Sequence, residues 1–166
     1  MRRLRIWIPV AGLAVAICAC GDDAGPSALF SDVTASSGIT GSTTSGVVPS
    51  TQLLEVKSGG IAVLDYDADG DDDVFVPNGA TLDSPTKGPG CRLYRNEGGM
   101  RFVDVTQEAG LTFDRFGMGA AVADVDGNGF DDIFVTAFGK DALLRNLGGR
   151  FEEVTDVAGL ADDAWS

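Results

Sequence analysis

The chain contains no histidine. That removes the side chain best suited to moving protons near neutral pH, and with it the commonest nitrogen ligand for zinc. Cysteine is almost as scarce: 3 residues in 166, two of them, Cys18 and Cys20, close to the N-terminus. Zinc is therefore disfavoured, because neither histidine nor a suitable cysteine pair is present. Cys91 follows a Gly-Pro-Gly turn just before an apolar strand, and without a histidine to act as its base it reads as structural, not nucleophilic. There is no G-x-S-x-G elbow and no G-x-x-x-x-G-K-(S/T) phosphate loop, so the usual signatures of acyl transfer and nucleotide binding are missing. Basic residues are few, 12 against 25 acidic ones, for a net charge of −13. Three of the 12 are Arg2, Arg3 and Arg5; the remainder of the chain is more acidic still. Such a balance repels nucleic acid and anionic headgroups and suits a protein that meets cations. No long amphipathic helical period runs through the chain after its N-terminal segment, and the 23 glycines argue against a helical bundle.

Residues 1–19 read as a secretory signal. Three arginines precede an apolar run from Ile6 to Ile17, too short to span a bilayer comfortably, and small residues follow. The segment Ile17-Cys18-Ala19-Cys20-Gly21 resembles the lipobox of bacterial lipoproteins, which makes Cys20 the expected acylated residue; a plain cleaved signal is the alternative. If Cys18 leaves with the signal and Cys20 is acylated, Cys91 is the one thiol left and no intramolecular disulfide can form. Residues 20–27 then form a tether that holds the following region, 28–166, away from the membrane. The expected location is the cell envelope, lipid-anchored at the periplasmic or outer surface.

From Gly60 onward, short Val/Ile/Phe/Leu runs alternate with Gly/Asp/Asn turns, the texture of short strands in an all-β fold. The segment also repeats. GIAVLDYDADGDDDVFVPN at Gly60–Asn78 aligns with GAAVADVDGNGFDDIFVTA at Gly119–Ala137, and RLYRNEGGMRFVDVTQEAGL at Arg92–Leu111 aligns with LLRNLGGRFEEVTDVAGL at Leu143–Leu160. A third copy of the second half is FSDVTASSGI at Phe30–Ile39. Each unit reads as four short strands, which in the first are Gly60–Asp65, Asp73–Pro77, Cys91–Asn96 and Arg101–Thr106. Four strands per repeat of this length point to a propeller blade that must stack on its neighbours to bury both faces. The expected core-facing residues are Val63, Val74, Val76, Val122, Ile133 and Val135. The fold expected is a partial β-propeller of about two blades plus an N-terminal strand segment. Because a closed propeller needs at least about four blades, the chain reads as a truncated product or a fragment, with assembly of several chains into a ring as the alternative.

Two acidic loops stand out. Asp65–Asp73 and Asp124–Asp132 both fit D-x-D-x-(D/N)-G-x-x-D. Calcium prefers six to eight oxygen ligands, and acids at positions 1, 3 and 5 of a tight loop can curl around one centre. The expected ligands are Asp65, Asp67, Asp69, the Asp71 carbonyl and Asp73 in the first loop. In the second they are Asp124, Asp126, Asn128, the Phe130 carbonyl and Asp132. An EF-hand fails, because Val76 and Val135 occupy the position of its glutamate and the flanks are β-like. Magnesium suits so flexible a cage poorly. The bland reading is two metal-free Asp/Gly turns, at the cost of crowding like charges. Two calcium sites are expected, weak as in extracellular modules, about 10⁻⁴–10⁻³ M. The first should be tighter, having Asp69 where the second has Asn128. Arg95 and Arg145, in the repeated R-N turn, read as structural residues tying the turn to nearby acids.

These loops and the R-N-x-G-G-x-F-x-(D/E)-V-T-x-x-A-G-L segments resemble the FG-GAP/VCBS repeat family, whose best-known members are the propellers of integrin alpha subunits. The second segment more narrowly resembles bacterial and cartilage-acidic-protein-like members. The resemblance implies that each loop joins the first two strands of a blade and holds calcium. It further implies a surface or periplasmic scaffold that contacts an unidentified protein or glycan, in an adhesion-like role without catalysis. The alternatives are a propeller-fold hydrolase or lyase whose catalytic part lies elsewhere, and a nonfunctional truncated fragment.

Overall fold

The structure, a computed structural model, describes residues 30–46 and 59–160. The chain divides into two compact units, Met1–Ser31 and Asp32–Ser166. The expected signal (1–19), acylated Cys20 and tether (20–27) lie outside the described residues. All of the architecture below belongs to the second unit.

Among the described residues, eight strands form two four-stranded antiparallel sheets, with a single turn of α-helix, α1 (Thr34–Ser37), ahead of them. The first sheet holds β1 (Ala62–Leu64), β2 (Asp73–Val76), β3 (Arg92–Asn96) and β4 (Phe102–Asp104) in chain order. The second repeats the plan with β5 (Gly117–Ala123), β6 (Asp132–Ala137), β7 (Ala142–Asn146) and β8 (Phe151–Glu153). Each sheet is a simple meander, so every strand pairs with its sequence neighbour and each aspartate loop bridges the first two strands. This is the blade pattern expected from the repeats, with outer strands shorter than expected. Phe30–Ile39, expected to contribute a strand, instead contains α1 and no strand among its described residues. Its counterparts in β4 and β8 pair with β3 and β7.

Registers explain which faces are buried. Ala62 pairs with Phe75, and Phe75 with Leu93, so these side chains share one face of the first sheet. In the second sheet, Val122, Ile133 and Leu144 are in line, as are Ala120, Val135 and Ala142. The two faces contribute to one continuous core, with Phe75, Leu93, Ile133, Val135 and Ala142 completely buried. In repeat terms Ile133 and Val135 correspond to Val74 and Val76. One face of the first sheet is thus joined in the core by the opposite face of the second, as in consecutive members of a stack.

That geometry corrects half of the core expectation. Ile133 and Val135 are fully buried, and Val122 is half-buried against the core. Val63 is 55% exposed, whereas its neighbours Ala62 and Leu64 are buried. Val74 and Val76 are half-buried on the other face from Phe75. The runs Ala62-Val63-Leu64 and Val74-Phe75-Val76 are apolar at every position, so alternation could not mark the inward parity.

The F-x-(D/E)-V-T-x-x-A-G-L segment has a structural role. The Thr106 hydroxyl accepts the Leu93 N–H at 2.9 Å and donates to Asp104 at 2.6 Å. Thr155 does the same for Leu143 and Glu153. Beyond Thr106 the chain makes a tight turn, closed by Ala109 N–H to the Val105 carbonyl at 2.8 Å, which seats Val105, Ala109 and Leu111 in the core. The Ala109 carbonyl then accepts the Phe151 N–H at 2.8 Å, linking this connector to β8. Cys91 is 1% exposed within the same core, and burial pushes its thiol up to about 12, in keeping with a structural residue.

The face assignment has a direct consequence. Phe75→Ala should cost about 3–5 kcal/mol as a buried large-to-small change, whereas Val63→Ala should stay within about 0.5 kcal/mol. Urea unfolding of the two variants checks this, and comparable losses would show that the parity is reversed.

Candidate metal centres

Each aspartate loop is built on its own first residue. Asp65 accepts the Asp69 N–H on Oδ1 and the Gly70 N–H on Oδ2, both at 3.0 Å. Asp124 accepts Gly127 at 2.8 Å and Asn128 at 3.1 Å on Oδ1, and Gly129 at 2.9 Å on Oδ2. These N–H bonds, that of Gly129 foremost, hold the Asp124 carboxyl below the usual carboxylate range. Folding the loop so tightly requires left-handed backbone at position 6, and Gly70 and Gly129 supply it at φ 93° and 89°. At position 4 the second loop also uses glycine, Gly127 at φ 74°, whereas the first puts Ala68 there at φ 60°. A side chain in that region is strained.

The last aspartate of each loop is buried completely or nearly so. Asp73 is 0% exposed and accepts Tyr66 N–H at 3.0 Å and Asn96 N–H at 2.8 Å. Asp132 is 1% exposed and accepts Val125 N–H at 2.9 Å and Asn146 N–H at 2.7 Å. One carboxylate thereby fastens the start of its loop to the end of the sheet's third strand. Burial raises the Asp73 carboxyl above its ordinary value; the two N–H bonds oppose the rise, and Asp67 and Asp69 add to it.

Three carboxylates converge in each loop. Oxygens of Asp65, Asp67 and Asp73 lie within 4.8 Å of one another, and so do oxygens of Asp124, Asp126 and Asp132. Two oxygens on a shared calcium, each about 2.3–2.6 Å from it, can be at most about 5 Å apart, so both triads fit a common cation. The donors are all oxygen, which matches a hard ion. Asp67 adds an independent indication: its Oδ1 is buried and has no hydrogen-bond partner. Burial raises the Asp67 carboxyl, with Asp69 and Asp65 adding to the rise and Arg95 opposing it. Negative charge is therefore under-compensated where an ion would sit.

The side chains of the other expected ligand residues are placed as follows. Asp69 is outside the triad and exposed, its Oδ1 accepting the Asp71 N–H at 2.8 Å. Asn128 accepts the Phe130 N–H at 2.8 Å and donates from Nδ2 to the Asn146 carbonyl at 2.9 Å. The Asp71 side chain is exposed and, with Asp67, Asp69, Arg95, Asn96 and Glu97, lines an open polar depression. The Phe130 ring lies near Gly148. Arg95 pairs with Glu97 at 2.6 Å. Arg145 pairs with Glu152 at 3.2 Å and stands 3.9 Å from Asp126. Both arginines thus tie their turn to nearby acids.

Asn96 and Asn146 were not expected as site residues. Asn146 is 0% exposed; its Oδ1 accepts Gly148 N–H at 3.1 Å and Gly149 N–H at 2.8 Å, and its Nδ2 reaches the Tyr66 and Asp131 carbonyls. The recurrence of R-N before both Gly-Gly turns is the signal that could have found them.

The family model described as FG-GAP-like repeat matches residues 65–135, a span that runs from the first aspartate of the first loop to β6 and takes in both loops. No curated protein matches the chain.

Ala68→Gly should relieve the strained position and stabilise the protein by about 1 kcal/mol. Thermal or urea unfolding in the absence of divalent ions measures it; a loss of stability would mean that Ala68 is not held at positive φ.

Proposed function

We propose that this chain is a calcium-binding structural and interaction scaffold, not an enzyme, in which each aspartate loop holds one calcium ion. The observation that carries this reading is the double convergence of three carboxylates at repeat-equivalent positions, together with the buried, unpartnered Oδ1 of Asp67. Asp65, Asp67 and Asp73 would hold one ion, and Asp124, Asp126 and Asp132 the other. Asp69, Asn128 and the Asp71 and Phe130 carbonyls complete the proposed ligand sets. Bound calcium neutralises its loop and stabilises the strand pair that the loop joins, so the folded state gains stability that grows with the logarithm of free calcium once this exceeds the dissociation constant. The first loop is the tighter site, having Asp69 where the second has Asn128.

The match to an FG-GAP-like repeat supports a β-propeller-type scaffold, and the narrower VCBS and cartilage-acidic-protein-like kinship is part of this proposal. So is the setting: export through the 1–19 signal, acylation of Cys20, and presentation at the cell envelope to a protein or glycan partner. The absence of histidine from the whole sequence supports a non-catalytic role.

Calorimetric titration of the full chain in mild detergent should find two calcium ions and a melting temperature that rises with calcium. Asp67→Asn and Asp126→Asn should each remove or weaken one site. A chain that binds none, and melts alike with calcium or with chelator, would leave only metal-free turns. Separately, Cys20→Ala should abolish incorporation of a labelled fatty acid during bacterial expression; unchanged labelling would place the lipid elsewhere.

A further inference from the structure

The two aspartate loops are in direct contact through backbone and buried side chains. Asn146, at the end of β7, donates from Nδ2 to the Tyr66 carbonyl of the first loop at 2.7 Å. The same side chain donates to the Asp131 carbonyl of the second loop at 3.1 Å. Its own N–H is bound by Asp132 at 2.7 Å, and its carbonyl accepts from Asn128 at 2.9 Å. A second tie runs from the Asp65 N–H to Asp131 Oδ2 at 3.3 Å. Tyr66 in turn donates its N–H to Asp73, and its ring stacks on Phe151 of the second sheet with centroids 6.5 Å apart. A continuous path therefore runs Asp132, Asn146, Tyr66, Asp73, with a triad carboxylate at each end. The counterpart Asn96 donates within its own sheet, to the Asp72 carbonyl at 3.1 Å.

We propose that Asn146 and Asp131 of the second sheet are positioning residues for the first cation site, and that occupation of the two loops is thereby coupled. This rests on the calcium reading above. Each triad needs its aspartates within reach of one centre, and the backbone bearing Asp65 and Asp67 is held by groups whose own positions depend on the second loop. An ion in the second loop stiffens Asp132 and Asn128, which fixes Asn146. Tyr66 is then already placed, so less ordering remains to be done when the first loop binds. Reciprocity follows from linkage: an ion in the first loop favours binding in the second by the same factor. Outer groups that orient ligands typically change metal affinity about 10–100-fold when lost.

Terbium(III), which shares calcium's preference for oxygen, tests this in the full chain. Tyr66 lies between Asp65 and Asp67, whereas the second loop has Val125 at that position, so tyrosine-sensitised emission that disappears in Tyr66→Phe reports the first loop. The wild-type titration should be steeper than two independent sites allow. Asn146→Ala and Asp131→Ala should each shift half-saturation of the first loop about tenfold upward and return the curve to independent binding. Asp126→Asn, whose side chain belongs only to the second triad, should also weaken the first site. Should Asn146→Ala fail to fold, the half-buried Asp131→Ala carries the test, with circular dichroism confirming its fold. Independent binding in the wild type, or a first-loop affinity unmoved by Asp131→Ala and Asp126→Asn, overturns the coupling while leaving the cation reading intact. A wild-type chain that shows neither sensitised emission nor displacement of terbium by calcium removes both.

Discussion

A buried carboxylate that accepts two backbone N–H groups from opposite sides is the interaction on which each sheet depends. Burying a charge costs several kcal/mol unless it is well hydrogen-bonded, and charge-assisted bonds are the kind that can offset this. Asp73 joins Tyr66 to Asn96, and Asp132 joins Val125 to Asn146. In both cases a residue just after strand one of the sheet is tied to the end of strand three, beneath the loop. The acidic loop therefore keeps its shape because its last member is anchored, and the Asn-Gly-Gly turn keeps its place because the same carboxylate holds it. Loop, turn and strand pairing share a single tie point.

From that tie point the remaining architecture follows by repetition. The Thr hydroxyls that bind Leu93 and Leu143 fix the outermost strands to the third. The connector after Thr106 places Val105, Ala109 and Leu111 in the shared core and passes the chain to the second sheet. Because opposite faces of equivalent sheets meet, burial is achieved without mirror symmetry, and each sheet needs neighbours on both sides to be covered. Val63, 55% exposed, marks the face of the first sheet turned away from the shared core. The triads concentrate negative charge at the loops, and burial there leaves the Asp67 and Asp73 carboxyls raised. A divalent cation held there, as proposed, would offset both the repulsion and the desolvation penalty.

Much of this could be read in advance, for identifiable reasons. The aspartates, glycines and threonines of the repeats act through bonds to residues within a few positions or within one sheet, so their spacing carries the information. Position 6 must be glycine for the loop to close, and Asp65 binds N–H groups four and five residues on. The inward face of the first sheet was not legible, since Ala62-Val63-Leu64 and Val74-Phe75-Val76 have no polar parity. Nor was the role of Asn146 legible, since the carbonyl it finds belongs to Tyr66, 80 residues earlier. The bond that the Asp69 side chain accepts from the Asp71 N–H was not legible either, since spacing alone does not reveal it.

The sequence by itself determined the number of sheets, the two loops, and the chemistry of their oxygen donors, because local backbone geometry and repeat spacing act over short distances. Tertiary structure decided which face of each sheet is buried, which three carboxylates of each loop converge, and that the two loops touch. The convergence depends on bonds from each loop to the third strand of its own sheet. The buried face and the contact between loops depend on how one sheet stacks on the next, and stacking is set by the fit of whole surfaces, which no single stretch of sequence contains.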